Sequence, residues 1–129
     1  RRFGRICILY AHAYSLITVI FSMNILFICS RNQWRSPTAE SVWRNRSGLS
    51  TRSAGTSRNA RRKVTAADIR WADTIMVIEH KHKDRLTTEF TRLIKNKTLY
   101  VLDIPDEYKF MDPDLVEHFE AAIPALLNL

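Results

Sequence analysis

The chain has 129 residues, a length typical of a single domain. Hydrophobic residues make up 46% of it, which is enough for one core, and the formal net charge is +7. Its two cysteines, Cys7 and Cys29, are too few for a disulfide framework or a cysteine-based zinc site. The positive charge favours nucleic acid, acidic proteins or phosphorylated substrates as partners, without choosing between them.

The first 22 residues differ from the rest of the chain. Arg1–Arg5 is basic, and Ile6–Phe21 is mostly apolar but interrupted by polar side chains. A membrane-spanning helix needs ~20 apolar residues, and this run is shorter; its layout also fits a signal peptide poorly. We interpret residues 1–22 as an upstream or artificially introduced extension outside the core, with a targeting or anchoring segment as the alternative. The folded domain is expected over 23–129.

From Met23 onward, short apolar runs alternate with amphipathic stretches, which predicts an α/β fold. Strands are predicted at Asn24–Ile28, Ser50–Ala54, Thr74–Ile78 and Lys97–Leu102. Helices are predicted at Pro37–Arg46, Thr65–Trp71, Lys81–Ile94 and from Asp112-Pro113 to Leu127. This alternation indicates a four-stranded parallel sheet with helices on both faces.

Four residues are expected to define helix ends. Ser36 is expected to cap the first helix and Gly48 to follow its end, while Thr65 caps the second helix. Pro124 lies inside the last helix and is expected to kink it or to end its regular part.

The loops that follow three of the strands are expected to meet at one edge of the sheet. They are Cys29–Arg35 after the first strand, Gly55–Ser57 after the second and Asp103–Tyr108 after the fourth. Ligands of open parallel sheets bind beyond the carboxyl ends of the strands. The sequence therefore predicts a binding site made by these loops.

The loop after the first strand has the features of an anion-binding loop. Its backbone N–H groups and the free N–H groups of the next helix can surround one phosphate-sized anion. Arg35 can add two parallel hydrogen bonds to that anion. The same positive field favours the thiolate form of Cys29, which would then be a nucleophile facing phosphorus. The alternative is a buried strand-end cysteine and a surface arginine.

A thiolate that attacks a phosphate monoester needs an acid to protonate the leaving oxygen. The loop after the fourth strand offers Asp103, Asp106 and Glu107. Asp106 is the first choice because it lies at the loop apex, and Asp103 is its competitor. The alternative is that these carboxylates only cap turns or balance the basic surface.

From Met23 to Leu129 the chain resembles a short, divergent member of the low-molecular-weight protein tyrosine phosphatases. The resemblance is carried by an ordered set of segments rather than by the cysteine–arginine spacing alone. The segments are Asn24–Cys29, Asn32, Arg35–Pro37, Ala39-Glu40, Ser53–Thr56, Ala72–Val77 and Asp103–Tyr108.

The resemblance implies a role for each matching residue. It implies that Cys29 is the nucleophile that becomes a phosphocysteine, that Arg35 clamps the phosphate, and that Asp106 is the general acid and then the base. Two displacements at phosphorus then share one covalent intermediate. Residues implied to contact the substrate or phosphate are Ser30, Arg31, Asn32, Gln33, Trp34, Ser36 and Tyr108. Among them Ser36 stabilises the thiolate, Asn32 shapes the loop with Ser53 as its partner, and Tyr108 flanks the substrate ring.

The implied protein is a cytoplasmic hydrolase of phosphotyrosine or of small aryl phosphates that needs no cofactor and no metal. Its partner is a phosphorylated protein or a small phosphate ester. Nucleic acid is not expected as a partner, and a membrane is expected only if residues 1–22 are a real anchor.

Two departures from the family pattern keep another function open. Arg31 replaces the usual glycine and adds charge to the loop, and Glu107 replaces the usual proline of the acid loop. The alternative function is a weak or inactive module that binds phosphate, phosphoproteins or nucleic acid. An arsenate reductase would need further thiols, and none follows Cys29.

Two charged segments have no role in this prediction. Arg58–Lys63 is interpreted as an exposed basic loop, with a rim that steers anionic substrates as the alternative. His80 and His82 are interpreted as part of a solvated helix start rather than as metal ligands.

Overall fold

A computed structural model describes residues 5–10 and 17–128, with side chains over 22–128. It contains five strands and five helices over these residues. The strands are β1 Arg5–Tyr10, β2 Ile17–Cys29, β3 Leu49–Gly55, β4 Thr74–Val77 and β5 Thr98–Val101. The helices are α1 Arg35–Trp43, α2 Ala66–Trp71, α3 His80–Glu89, α4 Thr91–Ile94 and α5 Pro113–Leu127.

Four strands form the predicted parallel sheet, in the order β3-β2-β4-β5. β3 and β4, which both follow β2 in the sequence, lie on opposite sides of it. The direction in which strands are added to the sheet therefore reverses at β2. This is the point where open α/β sheets bind their ligands. The predicted loop after the first parallel strand therefore lies at the switch point of the sheet.

The strand predicted at Asn24–Ile28 is much longer in the structure and begins at Ile17. Its first part, Ile17–Ser22, pairs antiparallel with β1, whereas Met23–Cys29 pairs parallel with β3. The boundary expected between residues 22 and 23 thus falls inside one continuous strand. The parallel sheet itself uses only residues from Met23 onward.

The helix predicted at Lys81–Ile94 is two helices. The first ends at Glu89, and Phe90 leaves helical geometry with φ −125° and ψ 44° before α4 begins. Pro124 does not end the last helix, because α5 continues through it to Leu127. A proline this close to the helix end disturbs few of the remaining hydrogen bonds.

Local rules identified the start of α2 but neither end of α1. Thr65 caps α2, accepting from the Asp68 N–H and completing a capping box with that residue. Gly48 does not end α1, which stops at Trp43; it lies directly before β3 with φ 81°, which suits glycine. Ser36 does not cap α1, which already begins at Arg35 behind Trp34. The Ser36 hydroxyl is used at the sheet edge instead.

The sheet has a hydrophobic core on each face, as predicted for helices on both sides. On one face Phe27 and Met76 pack with Phe119 and Ile123 of α5 and with Trp43 of α1. The core of the other face contains residues of β2, β4, α2 and α3, namely Leu26, Ile28, Ile75, Val77, Ile69 and Leu86. Because both faces are covered, all four residues of β4 are buried.

No helix within the described residues is both long and apolar enough to span a membrane.

Candidate active site

The loop between β2 and α1 is fixed by backbone hydrogen bonds to the segment that follows β3. The carbonyl oxygens of Cys29, Ser30 and Arg31 accept from the N–H groups of Thr56, Ser57 and Arg61 at 3.0, 2.9 and 2.9 Å. In a trans peptide the next N–H points opposite to the carbonyl. The N–H groups of residues 30, 31 and 32 therefore point away from the β3 segment, as an anion-binding loop requires.

This close contact depends on a glycine at the end of β3. A Cβ atom on Gly55 would lie 2.4 Å from the carbonyl oxygen of Ser30 and 2.7 Å from the Cβ of Ala60. Real Cβ atoms do not approach a backbone oxygen so closely. Any side chain at Gly55 would thus push the loop away from β3.

Asn32 holds the inside of the loop in shape. Its φ of 55° lies in the left-handed region, which asparagine tolerates better than most residues. The fully buried side chain donates from Nδ2 to the Ser36 and Ser53 hydroxyls at 3.0 and 2.9 Å. Ser53 in turn donates to Glu40 Oε1 at 2.6 Å. This is the loop-supporting arrangement that the resemblance implied for Asn32 and Ser53.

The Cys29 thiol lies at the end of β2 against a hydroxyl group. Cys29 Sγ is 2.9 Å from Ser36 Oγ, and either atom can be the donor when the thiol is protonated. Ser36 Oγ accepts from Asn32, and its own hydrogen can be donated to the sulfur or to the Ala54 carbonyl oxygen, which lies farther away at 3.4 Å. A thiolate at Cys29 could accept that hydrogen.

Arg35 is buried at the start of α1 and reaches three groups. One of its terminal nitrogens donates to the carbonyl oxygen of Ile104 at 2.8 Å and lies 3.3 Å from Glu79 Oε1. Its Nε lies 3.6 Å from Asp106 Oδ1. Burial raises the pKa of Glu79, but Arg35 and Lys81 outweigh burial, so the net pKa lies below the usual value. Glu79 is therefore an ionised carboxylate that orients Arg35.

Ser30 is held by a buried histidine. The Ser30 hydroxyl lies 2.8 Å from His82 Nε2, and the Glu79 N–H donates to His82 Nδ1 at 3.0 Å. With Nδ1 accepting, a neutral ring carries its proton on Nε2 and donates to Ser30. Burial first, and Arg35 second, lower the pKa of His82 to about 4, so the ring is neutral near pH 7.

These groups surround a small cavity of about 120 Å³. This volume is large enough for one phosphoryl group. The residues that line the cavity are Cys29, Ser30, Arg31, Gln33, Trp34, Arg35 and Asp106. All seven are among the site residues that the sequence predicted.

The structure separates the two candidate acids. Both side chains are exposed, but Asp106 lines the cavity beside Arg35, whereas Asp103 has φ 58° and does not line the cavity. Glu107 is exposed and also outside the cavity lining. The geometry therefore favours Asp106 for a role at the reacting group.

Tyr108 does not flank the cavity as the resemblance implied. Its hydroxyl lies 3.0 Å from His118 Nε2 on α5, and its ring meets that imidazole edge-on. The aromatic side chain that does line the cavity is Trp34, which is 42% exposed. Three further predicted site residues do not line the cavity either, because their side chains support the loop from within; they are Asn32, Ser36 and Ser53.

Three residues at this site were not identified from the sequence. Glu79 follows β4 by two positions, and the only signal for it in the sequence is that the carboxyl end of a parallel strand lies beside the loop. His82 was interpreted as solvated, but only 1% of its surface is exposed; His80 is exposed as expected. Glu40 lies on α1, and nothing in its local sequence indicated a contact with Ser53.

The basic segment Arg58–Lys63 is largely used to hold the fold. Arg61 donates from Nε to the Asn32 carbonyl oxygen at 3.0 Å, and Arg62 donates to Asp68 and to the Ser53 carbonyl oxygen. Lys63 pairs with Glu89 at 2.9 Å. Arg58, Arg61 and Arg62 are exposed, as predicted, and the contacts of Arg61 and Arg62 also make the segment a support of the loop.

Over the part of the chain with described side chains, no group of three or more histidine, cysteine, aspartate or glutamate residues is arranged to hold a metal ion.

Comparison by sequence finds no matching family model and no matching curated protein. Comparison by structure does find similar folds. The tyrosine phosphatase Wzb from Escherichia coli K30 is 20% identical, with a TM-score of 0.63 over 84% of this chain and 98% of that chain. The low-molecular-weight protein tyrosine phosphatase SP-PTP from Streptococcus pyogenes is 16% identical, with a TM-score of 0.64 over 81% and 93%.

A third similar structure is the YwlE arginine phosphatase from Geobacillus stearothermophilus. It is 21% identical, with a TM-score of 0.54 over 82% of this chain and 86% of that chain. At such identities the similarity concerns the fold. The described part of this chain has the fold of the low-molecular-weight protein tyrosine phosphatases.

Proposed function

We propose that the protein is a cysteine-dependent phosphatase that hydrolyses phosphotyrosine or small aryl phosphate monoesters. The observation that carries the proposal is the meeting of Cys29, Arg35 and Asp106 at one cavity of about 120 Å³. A thiol, a guanidinium and a carboxyl group are the three functions that hydrolysis through a phosphocysteine requires. The fold shared with known phosphatases supports the same proposal.

In the first step the Cys29 thiolate attacks phosphorus. The S–P bond forms while the ester P–O bond breaks, and Asp106 donates its proton to the leaving oxygen. The loop N–H groups and Arg35 bind the equatorial oxygens, which carry the charge of the transferring group. Because Ile104 and Glu79 already fix Arg35, binding requires little reordering of its side chain.

In the second step water attacks the phosphocysteine. Asp106, now ionised, accepts a proton from the water as the new P–O bond forms and the S–P bond breaks. Inorganic phosphate leaves, and the Cys29 thiolate is restored. The Ser36 hydroxyl, 2.9 Å from the sulfur, stabilises the thiolate as it departs.

The rim of the cavity supports an aryl substrate. Trp34 is exposed beside the cavity and provides a surface for an aromatic ring. A phosphoarginine substrate is the second candidate, because YwlE of similar fold is an arginine phosphatase. Parallel assays with a phosphotyrosyl peptide and a phosphoarginyl peptide decide between them.

A nucleophilic thiol needs a reducing environment, and the proposal therefore extends to a cytoplasmic location. The cysteine in question, Cys29, is free and buried.

The proposal is tested by the hydrolysis of para-nitrophenyl phosphate between about pH 5 and about pH 8, with EDTA present. The intact chain should turn over, and Cys29→Ser should lose turnover while it still binds phosphate. Alkylation of Cys29 in the intact chain should be slowed by inorganic phosphate. Turnover that survives in Cys29→Ser would contradict the mechanism. An absence of turnover in the intact chain, with phosphate still protecting Cys29, would instead identify a binding module without catalysis.

A further inference from the structure

A second, larger cavity lies next to the catalytic one. It is a groove of about 570 Å³ between the loop after β2, the segment after β3 and helix α3. Ser30 and Arg31 line both cavities. The other residues lining the groove are Thr56, Ser57, Lys81, His82, Asp84, Arg85 and Thr88. One substrate can therefore occupy both spaces at once, with Arg31 between them.

The groove is basic. Arg31, Lys81 and Arg85 give it three positive charges against the single carboxylate of Asp84, while the neutral ring of His82 adds none. Lys81 shares part of its charge with Glu79, whose Oε1 lies 3.3 Å from its Nζ. The charge balance favours an anion.

Two of these cations have no carboxylate partner among the described residues. Arg85 donates only to a carbonyl oxygen, that of Thr56, at 3.3 Å, which leaves its charge uncompensated. Arg31 is exposed, and its side chain makes no ion pair or hydrogen bond to the described side chains. Elsewhere on the surface the arginines Arg46 and Arg62 do pair with carboxylates. Two guanidinium groups without a carboxylate partner, those of Arg31 and Arg85, therefore line the same groove.

The groove is held in a fixed position relative to Cys29. Thr56, which accepts from Arg85, donates its own N–H to the Cys29 carbonyl oxygen. Ser57 donates to the Ser30 carbonyl oxygen in the same way. An anionic group bound at Arg85 therefore lies at a set position from a phosphoryl group on the catalytic loop.

We propose that this groove binds an anionic side chain of a phosphopeptide, next to the phosphorylated residue. The inference rests on the proposed phosphatase function and adds a substrate preference to it. The catalytic cavity, of about 120 Å³, is much smaller than a phosphopeptide, so most of a peptide lies outside it. Glutamate, aspartate and a second phosphorylated residue present the same chemistry, namely oxygens that accept from guanidinium groups.

The preference is measured as kcat/KM on matched phosphotyrosyl peptides. One set carries glutamate directly before or after the phosphotyrosine, a second carries glutamine there, and a third carries phosphoserine. One well-placed surface ion pair can raise kcat/KM by up to about fivefold. We expect the best glutamate peptide to exceed its glutamine match by about that factor, and this gain should shrink at high salt. A larger gain with phosphoserine would identify a second phosphoryl group as the preferred occupant.

Three variants with substitutions in α3 test whether Arg85 causes the preference for glutamate. Arg85→Gln should remove most of the preference for glutamate, and Arg85→Lys should retain part of it. Lys83→Gln, exposed on the same helix but outside the groove, should retain all of it. Hydrolysis of para-nitrophenyl phosphate, which does not extend into the groove, should be equal in all of them. Equal kcat/KM for the glutamate and glutamine peptides, or a preference unchanged in Arg85→Gln, would overturn the proposal.

A binding assay separates this proposal from the catalytic one. The same peptides, labelled with a fluorophore, are titrated into Cys29→Ser by anisotropy, which needs no turnover. Tighter binding of the glutamate peptide, lost with Arg85→Gln added, would support the groove even if the intact chain proved inactive. Binding of a single-stranded oligonucleotide that depends on Arg85, without discrimination between the peptides, would overturn it in favour of nucleic acid.

Discussion

At the scale of single residues, two side chains that line the site are fixed by contacts with other protein groups. Arg35 is fixed by Glu79 and Ile104, and Ser30 is fixed by His82. Only the outer groups of the loop are left to meet a ligand. Such preorganisation is what makes an electrostatic site effective, because little reordering is needed when charge develops.

The assignment of the acid is tested by leaving-group dependence. Asp106→Asn should slow an ester with a poorly acidic leaving alcohol by about 10²–10⁴-fold, because a strongly basic leaving oxygen depends on protonation. An ester of an acidic phenol should be slowed much less. The measurement is kcat for a series of aryl and alkyl phosphates.

The control for this series is Asp103→Asn on the same loop. Asp103 is exposed and outside the cavity, so its variant should match the intact chain for every ester. If Asp103→Asn showed the leaving-group dependence and Asp106→Asn did not, the two roles would have to be exchanged.

The buried imidazole of His82 makes stability depend on pH. Its pKa is about 4 in the folded protein, against 6.5 for an ordinary histidine. The unfolded chain therefore binds the proton first as the pH falls, and stability present above pH 6.5 is lost progressively towards pH 4. Between about pH 7 and about pH 5, the free energy of unfolding should fall by roughly 2 kcal/mol on this account.

Urea unfolding of the intact chain and of His82→Gln at these two pH values measures this contribution. Glutamine can still donate to Ser30 but does not titrate, so the variant should lose less stability between the two pH values. The ionised carboxylates Asp68 and Glu79 have pKa values below the usual range. Their contribution to the free energy of unfolding is therefore lost only at lower pH. An equal pH dependence in both proteins would show that His82 is not held neutral.

At the scale of secondary-structure elements, the end of β3 decides where the catalytic loop lies. Gly55→Ala would place a Cβ 2.4 Å from the Ser30 carbonyl oxygen. Backbone cannot yield as a flexible side chain does, so the loop must shift. We expect a loss of both stability and turnover, measured as urea unfolding and as kcat per folded molecule.

Gly48, at the opposite end of β3, is the matched control. Its φ of 81° makes alanine unfavourable by about 1–2 kcal/mol, yet it lies at the sheet edge away from Cys29. Gly48→Ala should therefore lose stability and keep the turnover of its folded fraction. A Gly55→Ala protein with the kcat of the intact chain would show that the loop tolerates displacement.

The elements that the sequence predicted are those with strong local signals. Thr74–Val77 is apolar and β-branched, and Thr65 begins an N-terminal capping box, so both were predictable. The role of Ser36 was ambiguous, because local rules favour a serine cap while the resemblance placed it beside the thiolate. The contact with Cys29 Sγ decides for the second prediction.

What could not be predicted depends on contacts between distant segments. His82 lies among lysines, and only the packing of α3 against the loop after β2 buries it. Tyr108 was assigned to the substrate ring, but His118 on α5 binds its hydroxyl. The start of β2 at Ile17 likewise depends on its antiparallel partner β1, a pairing that the apolar pattern alone does not reveal.

At the scale of the whole molecule, the topology brings three loops to one edge of the sheet, and this was predictable. The strand order β3-β2-β4-β5 places the end of β2 between its neighbours, so the loops after β3 and β5 both reach it. The net charge of +7 gives the molecule an electrostatic preference for anions. The cavity lined by Cys29, Arg35 and Asp106 lies at this edge of the sheet.

The most direct test of the proposed mechanism is the capture of the phosphocysteine. The intact chain is mixed with para-nitrophenyl phosphate, quenched in acid and examined by peptide mass spectrometry. The account predicts the mass of one phosphoryl group on the peptide that contains Cys29, absent in Cys29→Ser and formed within the time of one turnover. Turnover without any phosphorylated Cys29 peptide, or with phosphorylation at another residue, would contradict it.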